Sequence, residues 1–285
     1  MKNINIKISY QPSFVNRLAK IIIPLLRVIL PKKLFYIAYN NLYLINMKRI
    51  WILYSIKTYF SGLFANKHLK EKYSLTRRVL PYTLGGPKAL DNAFEIVRLV
   101  EKNNIPGAIV ECGVAQGGCA AMMALSSRTY GNLEREFWFF DSYEGLPQPT
   151  EEDYKDFKTG DHVGVLVKGS CLGTLEQVSD LLFKNFNLPK NKINLVKGWF
   201  QDTVPLHKEK VGKIAILRLD GDWYESTKIP LNNFYQNITP GGCIIIDDYA
   251  TCYGSKKATD EFLKENLINT HLQPDGRGGA WFIKP

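Results

Sequence analysis

Four apolar runs in this 285-residue chain end in carboxylates, and those carboxylates are where chemistry could reside. Ala108 to Val110 leads into Glu111, and Phe137 to Phe140 into Asp141. Ile214 to Leu219 leads into Asp220-Gly221-Asp222, and Cys243 to Ile246 into Asp247-Asp248. An acid at the tip of a strand can bind the ribose hydroxyls of a nucleoside, and Asp141 is the candidate. Aspartates brought together from two strand ends repel one another, and burying them is costly unless something positive compensates. An all-oxygen set of that kind suits a hard cation such as Mg²⁺ or Ca²⁺ rather than zinc. Successive strand side chains point opposite ways, so Asp247 and Asp248 can converge only if the strand stops before them. The competing assignment has one Asp of each pair capping a helix or binding Arg218.

The segment after the first acid, Cys112-Gly113-Val114-Ala115-Gln116-Gly117-Gly118, turns through glycines into the helix former Cys119 to Leu125. A strand, a glycine turn and a helix in that order bring backbone N–H groups and a helix N-terminus against a cofactor. The spacing is acid-x-Gly-x-x-x-Gly, not the Gly-x-Gly-x-x-Gly of nicotinamide-binding proteins. It resembles the first motif of class I S-adenosylmethionine (SAM) methyltransferases. Together with Asp141 it favours a nucleoside-type cofactor. Trp199, just past a third strand at Ile193 to Val196, could flank an adenine ring or equally pack in the core.

The elements that must position these residues follow from the alternation of patterns. Helical segments at Asp91 to Lys102, Leu175 to Phe186 and Thr227 to Asn237 alternate with the apolar runs. That order implies a mostly parallel sheet covered by helices on both faces, with ligands at the carboxyl ends of its strands. The expectation is an α/β, Rossmann-like domain over residues 80–285, preceded by a helical extension over residues 1–79. The polar segment from Gln148 to Gly169 reads as a loop or lid.

Five scattered cysteines and four histidines, with no C-x-x-C or H-x-x-x-H spacing, argue against a zinc site or a disulfide framework and for a reducing compartment. The net charge of +10 is unevenly spread. Residues 1–80 hold fifteen Lys/Arg against the single acid Glu71, while the remainder holds 22 bases against 26 acids. The mildly acidic remainder disfavours nucleic-acid binding. Within residues 1–70, bases mix with Trp, Tyr and Leu, and no uncharged apolar stretch reaches the ~18–20 residues of a spanning helix. The arm suits either an interfacial membrane helix or a cap packed on the domain or on a second subunit.

Five motifs occur in order: Glu111-Cys112-Gly113-Val114, Asp141-Ser142-Tyr143-Glu144-Gly145-Leu146-Pro147, Lys197-Gly198-Trp199-Phe200-Gln201-Asp202-Thr203, Leu217-Arg218-Leu219-Asp220-Gly221-Asp222 and Ile246-Asp247-Asp248-Tyr249. The set resembles the macrocin O-methyltransferase (TylF/MycF-type) family of SAM- and Mg²⁺-dependent sugar O-methyltransferases, over roughly residues 80–285. The resemblance implies SAM contacts at Thr83, Leu84, Glu111, Gly113, Val114, Ala115, Asp141, Ser142 and Gly145. It also implies Mg²⁺ ligation by Asp220, Asp247 and Asp248. His162 is the histidine that falls in the segment where the family's proposed base lies, and Asp222 is the other candidate to take the proton. The expected function is methyl transfer from SAM to a sugar hydroxyl of a glycoside, nucleotide-sugar or surface glycan. A catechol-type O-methyltransferase and a non-catalytic SAM- or nucleotide-binding module are the alternatives. The expected setting is cytoplasmic, with peripheral contact on the inner membrane face through residues 1–70 or self-association.

Overall fold

The computed structural model describes residues 8, 14–131, 134–155, 158–159 and 166–285. Three helices come first: α1 (Phe14–Ile29), α2 (Lys32–Leu63) and α3 (Lys67–Val79). The alternating part follows as α4 (Gly86–Lys102), β1 (Ala108–Cys112), α5 (Gly118–Tyr130) and β2 (Phe137–Asp141). A short hairpin, β3 (Tyr154–Lys155) and β4 (Lys158–Thr159), precedes α6 (Leu175–Ser179) and β5 (Ile193–Lys197). Then come α7 (Phe200–Val211), β6 (Ile214–Leu219), α8 (Tyr224–Phe234), β7 (Ile238–Ile246), α9 (Tyr253–Glu265), β8 (Gln273–Pro274) and β9 (Ala280–Ile283).

Seven strands form one sheet in the order β5-β2-β1-β6-β7-β9-β8. β5, β2, β1, β6 and β7 run parallel, and β9 pairs antiparallel with both β7 and β8. From β1 the chain builds outward through β2 to β5, then returns to the other side of β1 with β6 and β7. The order therefore reverses between β1 and β6, and a crevice opens at such a point outside the carboxyl ends of the strands.

Both faces of the sheet are buried, as parallel strands joined by helices require. Ile109, Phe139, Ile216 and Ile245 pack on one face with Phe94 of α4 and Met122 of α5. Val110, Phe140, Leu217 and Ile244 pack on the other with Val204 of α7, Leu231 of α8 and Phe262 of α9. Leu75 and Val79 of α3 join the first of these cores, so the covered region reaches back before residue 80.

Some elements differ from the sequence expectation. The helix expected over Leu175 to Phe186 is α-helical only to Ser179 and widens into a π-helix from Asp180 to Asn185, burying both Leu181 and Leu182. α1 continues through Pro24, although a proline inside a helix costs about 3 kcal/mol, and α2 continues through Asn40-Asn41, where a poor helix former costs less than about 1 kcal/mol. β7 begins at Ile238, ahead of the apolar run, and passes through Gly241-Gly242. The C-terminal strands β8 and β9 carry no long apolar run that would announce them. Among the described residues, no helix is long and apolar enough to cross a membrane.

Candidate active site

The acid-tipped strands converge at the reversal point because of register. On β1 the side chains of Ile109 and Glu111 share a face, and Glu111 stands opposite Arg218 of β6. Arg218 in turn stands opposite Ile245 of β7, whose face Asp247 continues just beyond the strand end. Arg218 is consequently buried between three carboxylates. Its guanidinium donates to Glu111 (3.0 Å), Asp220 (2.6 Å) and Asp247 (2.5 Å). A planar group with five donors suits this role, where a single ammonium would not.

A second guanidinium, Arg277, donates to the other carboxylate oxygen of Asp247 and to its backbone carbonyl. Arg277 sits in the loop between β8 and β9. The Asp275 carboxylate holds that loop by accepting from the N–H groups of Arg277, Gly278 and Gly279. The sequence reading passed over Arg277; its only local mark is the Asp275-Gly276-Arg277-Gly278-Gly279 turn.

Single ligand atoms of Asp220, Asp247 and Asp248 lie within 4.8 Å of one another, and those of Asp222, Asp248 and Cys252 form a second such group. Because β7 stops at Ile246, Asp247 and Asp248 are free to converge. Five carboxylates (Glu111, Asp220, Asp222, Asp247 and Asp248) face two guanidiniums, leaving an excess of negative charge. Burial raises every one of these acids, and neighbours decide the outcome. Asp247 is held down at about 2, since Arg218 and Arg277 together outweigh its burial. Asp222 is pushed up to about 7 by burial and by Asp220, and Asp248 to about 7 by burial and by Asp222 and Asp247. Glu111 rises to about 8 by burial, against the pull of Arg218.

Two oxygens in this cluster lack a hydrogen-bond partner although buried: Glu111 Oε2 and Asp248 Oδ2. Thr251 satisfies Asp248 Oδ1 at 2.8 Å. A buried, unpartnered acceptor is costly. The set Asp220, Asp247 and Asp248 is all-oxygen and anionic, so it fits a hard divalent cation, while burial raises the neighbouring Cys252 thiol and keeps it protonated. Each oxygen of Asp220 and Asp247 that serves a guanidinium keeps a second lone pair.

Asp141, at the tip of β2, clamps the glycine turn. Its Oδ2 accepts from the N–H groups of Val114 (2.7 Å) and Ala115 (3.0 Å), and its Oδ1 from that of Tyr143 (2.7 Å). Only Oδ1 keeps a lone pair for a ligand hydroxyl. Gly113 has φ +96°, and a Cβ there would lie 2.0 Å from the Asp220 carbonyl oxygen, so only glycine lets β1 and β6 meet this closely. Ala115, Tyr143 and Asp222 also hold positive φ without being glycine, and such conformations gather at functional sites.

These residues line a cleft of about 1930 Å³, roughly twice the upper range of an ordinary small-molecule pocket, so cofactor and acceptor fit together. Thr83, Leu84, Glu111, Gly113, Val114, Ala115, Asp141, Ser142, Gly145 and Trp199 line it with Asp220, Asp222, Asp247 and Asp248. Trp199 is half-buried at the start of α7, part of the cleft wall rather than the core. His162 lies outside the described residues. The wall facing the acids comes from α2, through Tyr39, Leu42 and Tyr43, and the Tyr43 hydroxyl donates to the Leu84 carbonyl (2.9 Å). No local sequence signal marks those tyrosines as cleft residues.

The sequence is similar to known proteins along most of its length. A family model described as macrocin-O-methyltransferase (TylF) matches residues 61–284. Demethyldecarbamoylnovobiocin O-methyltransferase of Streptomyces niveus is 35% identical over 202 residues, covering 70% of this chain and 75% of that protein. The 8-demethyl-8-(2,3-dimethoxy-alpha-L-rhamnosyl)-tetracenomycin-C 4'-O-methyltransferase of Streptomyces olivaceus is 37% identical over 203 residues, covering 70% and 75%. The solved structure of the O-methyltransferase NovP superposes with a TM-score of 0.60 at 33% identity, covering 71% of this chain and 82% of that one.

Proposed function

The chain belongs to the macrocin-O-methyltransferase family and is a SAM-dependent O-methyltransferase, and from that premise we propose that its acceptor is a sugar hydroxyl and its metal Mg²⁺. The observation that carries the reading is the carboxylate cluster opening into a cleft large enough for two ligands. The relative whose name specifies a rhamnosyl 4'-O position supports a sugar over a phenol. Glycosides, nucleotide-sugars and surface glycans all present neighbouring hydroxyls of the kind the cluster suits.

SAM would lie along the β1–α5 turn. Glu111 Oε2 and the free lone pair of Asp141 Oδ1 are the acceptors available to its ammonium and ribose hydroxyl, and Trp199 offers a flat wall to its adenine. Asp141→Ala removes a charge-assisted acceptor and loosens the turn at once. Calorimetry is expected to show SAM affinity falling at least about tenfold. Unchanged affinity in that variant would remove Asp141 from the binding site.

Asp220, Asp247 and Asp248 are the residues that would hold Mg²⁺, which when bound lowers the pKa of an alcohol and orients it. The chain's own groups do the rest. Arg218 and Arg277 fix Asp247 from two sides, and Arg218 also fixes Asp220 and Glu111. The sulfonium of SAM is already activated, so alignment of acceptor oxygen and methyl carbon governs the rate. Asp222, in the cleft with the Cys252 thiol as its one donor among the described residues (3.5 Å), would take the hydroxyl proton. The excess of bases in residues 1–70 supports peripheral contact with an anionic surface as part of this reading.

The acceptor class is tested with methyl-labelled SAM and parallel panels of sugar-bearing acceptors and catechols. Label is expected in the sugars. Label confined to catechols overturns the sugar assignment, and intact SAM binding with no transfer to any acceptor favours a binding module.

A further inference from the structure

Helix α2 turns two unlike faces outward and inward. Inward, Phe35 and Thr58 are buried, the Tyr43 hydroxyl meets the Leu84 carbonyl, and the Tyr54 hydroxyl donates to Asp91 (3.1 Å). Outward, Leu34, Ile37, Ile45, Ile52, Ile56 and Leu63 are spaced by multiples of three to four residues, which places them on one stripe. At least half of each of these side chains is open to solvent. Over the helix's 32 residues the stripe extends roughly 48 Å. α1 adds Ile21, Leu25 and Val28, also exposed and at helical spacing. An exposed apolar stripe of this length marks an interaction site rather than an ordinary solvated face.

Charge decides what covers it. Residues 1–70 carry twelve Lys/Arg and no Asp or Glu. A second copy laid against the same face would set bases against bases. Lys48 projects within the exposed face, with Lys33 and Lys57 exposed beside it. Their aliphatic stems can lie along apolar surface while their charges reach an anionic layer. Since no described helix can cross a bilayer, α2 is suited to lie along one.

We infer that the α1–α2 face docks flat on an anionic phospholipid surface. The opposite side of α2 walls the cleft through Tyr39, Leu42 and Tyr43, and α1 contributes Ile22 and Ile23 to the same cavity. Docking therefore brings the acceptor side of the cleft to the membrane. Resting on the sugar-methyltransferase reading above, this deepens it: the acceptor is a glycan carried on a lipid, its sugar at the acids and its apolar part along α1 and α2.

The test uses the full chain and co-sedimentation with vesicles of equal parts phosphatidylcholine and phosphatidylglycerol, beside vesicles of phosphatidylcholine alone. Binding is expected to the anionic vesicles at low salt, with about fivefold in affinity lost for each exposed base removed, starting with Lys48→Ala. A triple variant, Ile45→Glu, Ile52→Glu and Ile56→Glu, changes only outward-facing residues that do not line the cleft. It is expected to lose at least ~100-fold in vesicle affinity while still binding SAM as the parent does. No binding to anionic vesicles at low salt overturns the inference, as does equal binding by the triple variant. A solution dimer, measured by light scattering, that the triple variant dissolves would put a second copy on this face instead. SAM calorimetry on the same preparations separates the two readings: vesicle binding without SAM binding sinks the methyltransferase assignment and leaves docking standing.

Discussion

Exhaustive chelation is expected to abolish methyl transfer, and Asp248→Asn to raise the Mg²⁺ concentration needed for half-maximal activity by at least ~10–100-fold. SAM affinity should stay within about twofold in that variant, because Asp248 lies at the end of β7, whereas the SAM-facing turn follows β1. Asp248 Oδ2 is buried beside Asp220 and Asp247 without a donor among the described residues. Asparagine keeps the volume but removes the negative charge, leaving one neutral carbonyl oxygen, a weaker ligand, and an NH2 group that cannot ligate a cation. The arginines already answer Asp220 and Asp247, so Asp248 contributes the charge that no cation among the described residues contacts directly. Full turnover after chelation would leave the three aspartates as structural acids.

The other large effect concerns Arg218. Replacing it with methionine strips three carboxylates of a buried partner at once. Removing one member of a buried charge network costs about 3–5 kcal/mol, a large share of the ~5–15 kcal/mol that holds a domain together. Urea denaturation of Arg218→Met should show a midpoint shift of that size. Arg218→Lys should recover little of it, since one ammonium cannot serve Glu111, Asp220 and Asp247 in the observed fork. Adding Glu111→Gln to Arg218→Met should recover part, by removing the acid that lies deepest. Stability of Arg218→Met within about 1 kcal/mol of the parent would mean that these acids are neutral in the folded protein and that Arg218 is not their counter-ion.

How much of this was legible in the sequence depends on what sets each feature. The sheet's parallel centre was legible because four long apolar runs are buried on both faces and each ends in an acid. The convergence of Asp220, Asp247 and Asp248 followed from that, given only that β7 stops at Ile246. The C-terminal strands were not legible: β8 is two residues long, and β9 is a short strand whose pairing with β7 is a tertiary fact. Arg277 was missed for the same reason, since the loop that aims it lies between them. Arg218 was visible only as one possible partner of an aspartate. Its central place needs the cross-strand register, which composition does not disclose. Tyr39 and Tyr43 were hidden in a segment whose aromatic content fitted both a cap and a membrane helix. The structure shows one face of α2 on the cleft and the other exposed, so the same residues carried both signals.

If Asp220, Asp247 and Asp248 form a hard-cation site beside bound cofactor, the site must take up a metal ion that can be counted. Mn²⁺ substitutes for Mg²⁺ at oxygen-ligand sites, and its paramagnetic resonance signal distinguishes free from bound ion. Titrating the full chain with Mn²⁺ in the presence of S-adenosylhomocysteine should remove one equivalent of free signal per chain, and Mg²⁺ should restore it by competition. Asp248→Asn should leave the signal free over the same range. Failure of the parent to take up Mn²⁺, or equal uptake by parent and variant, would contradict the claim.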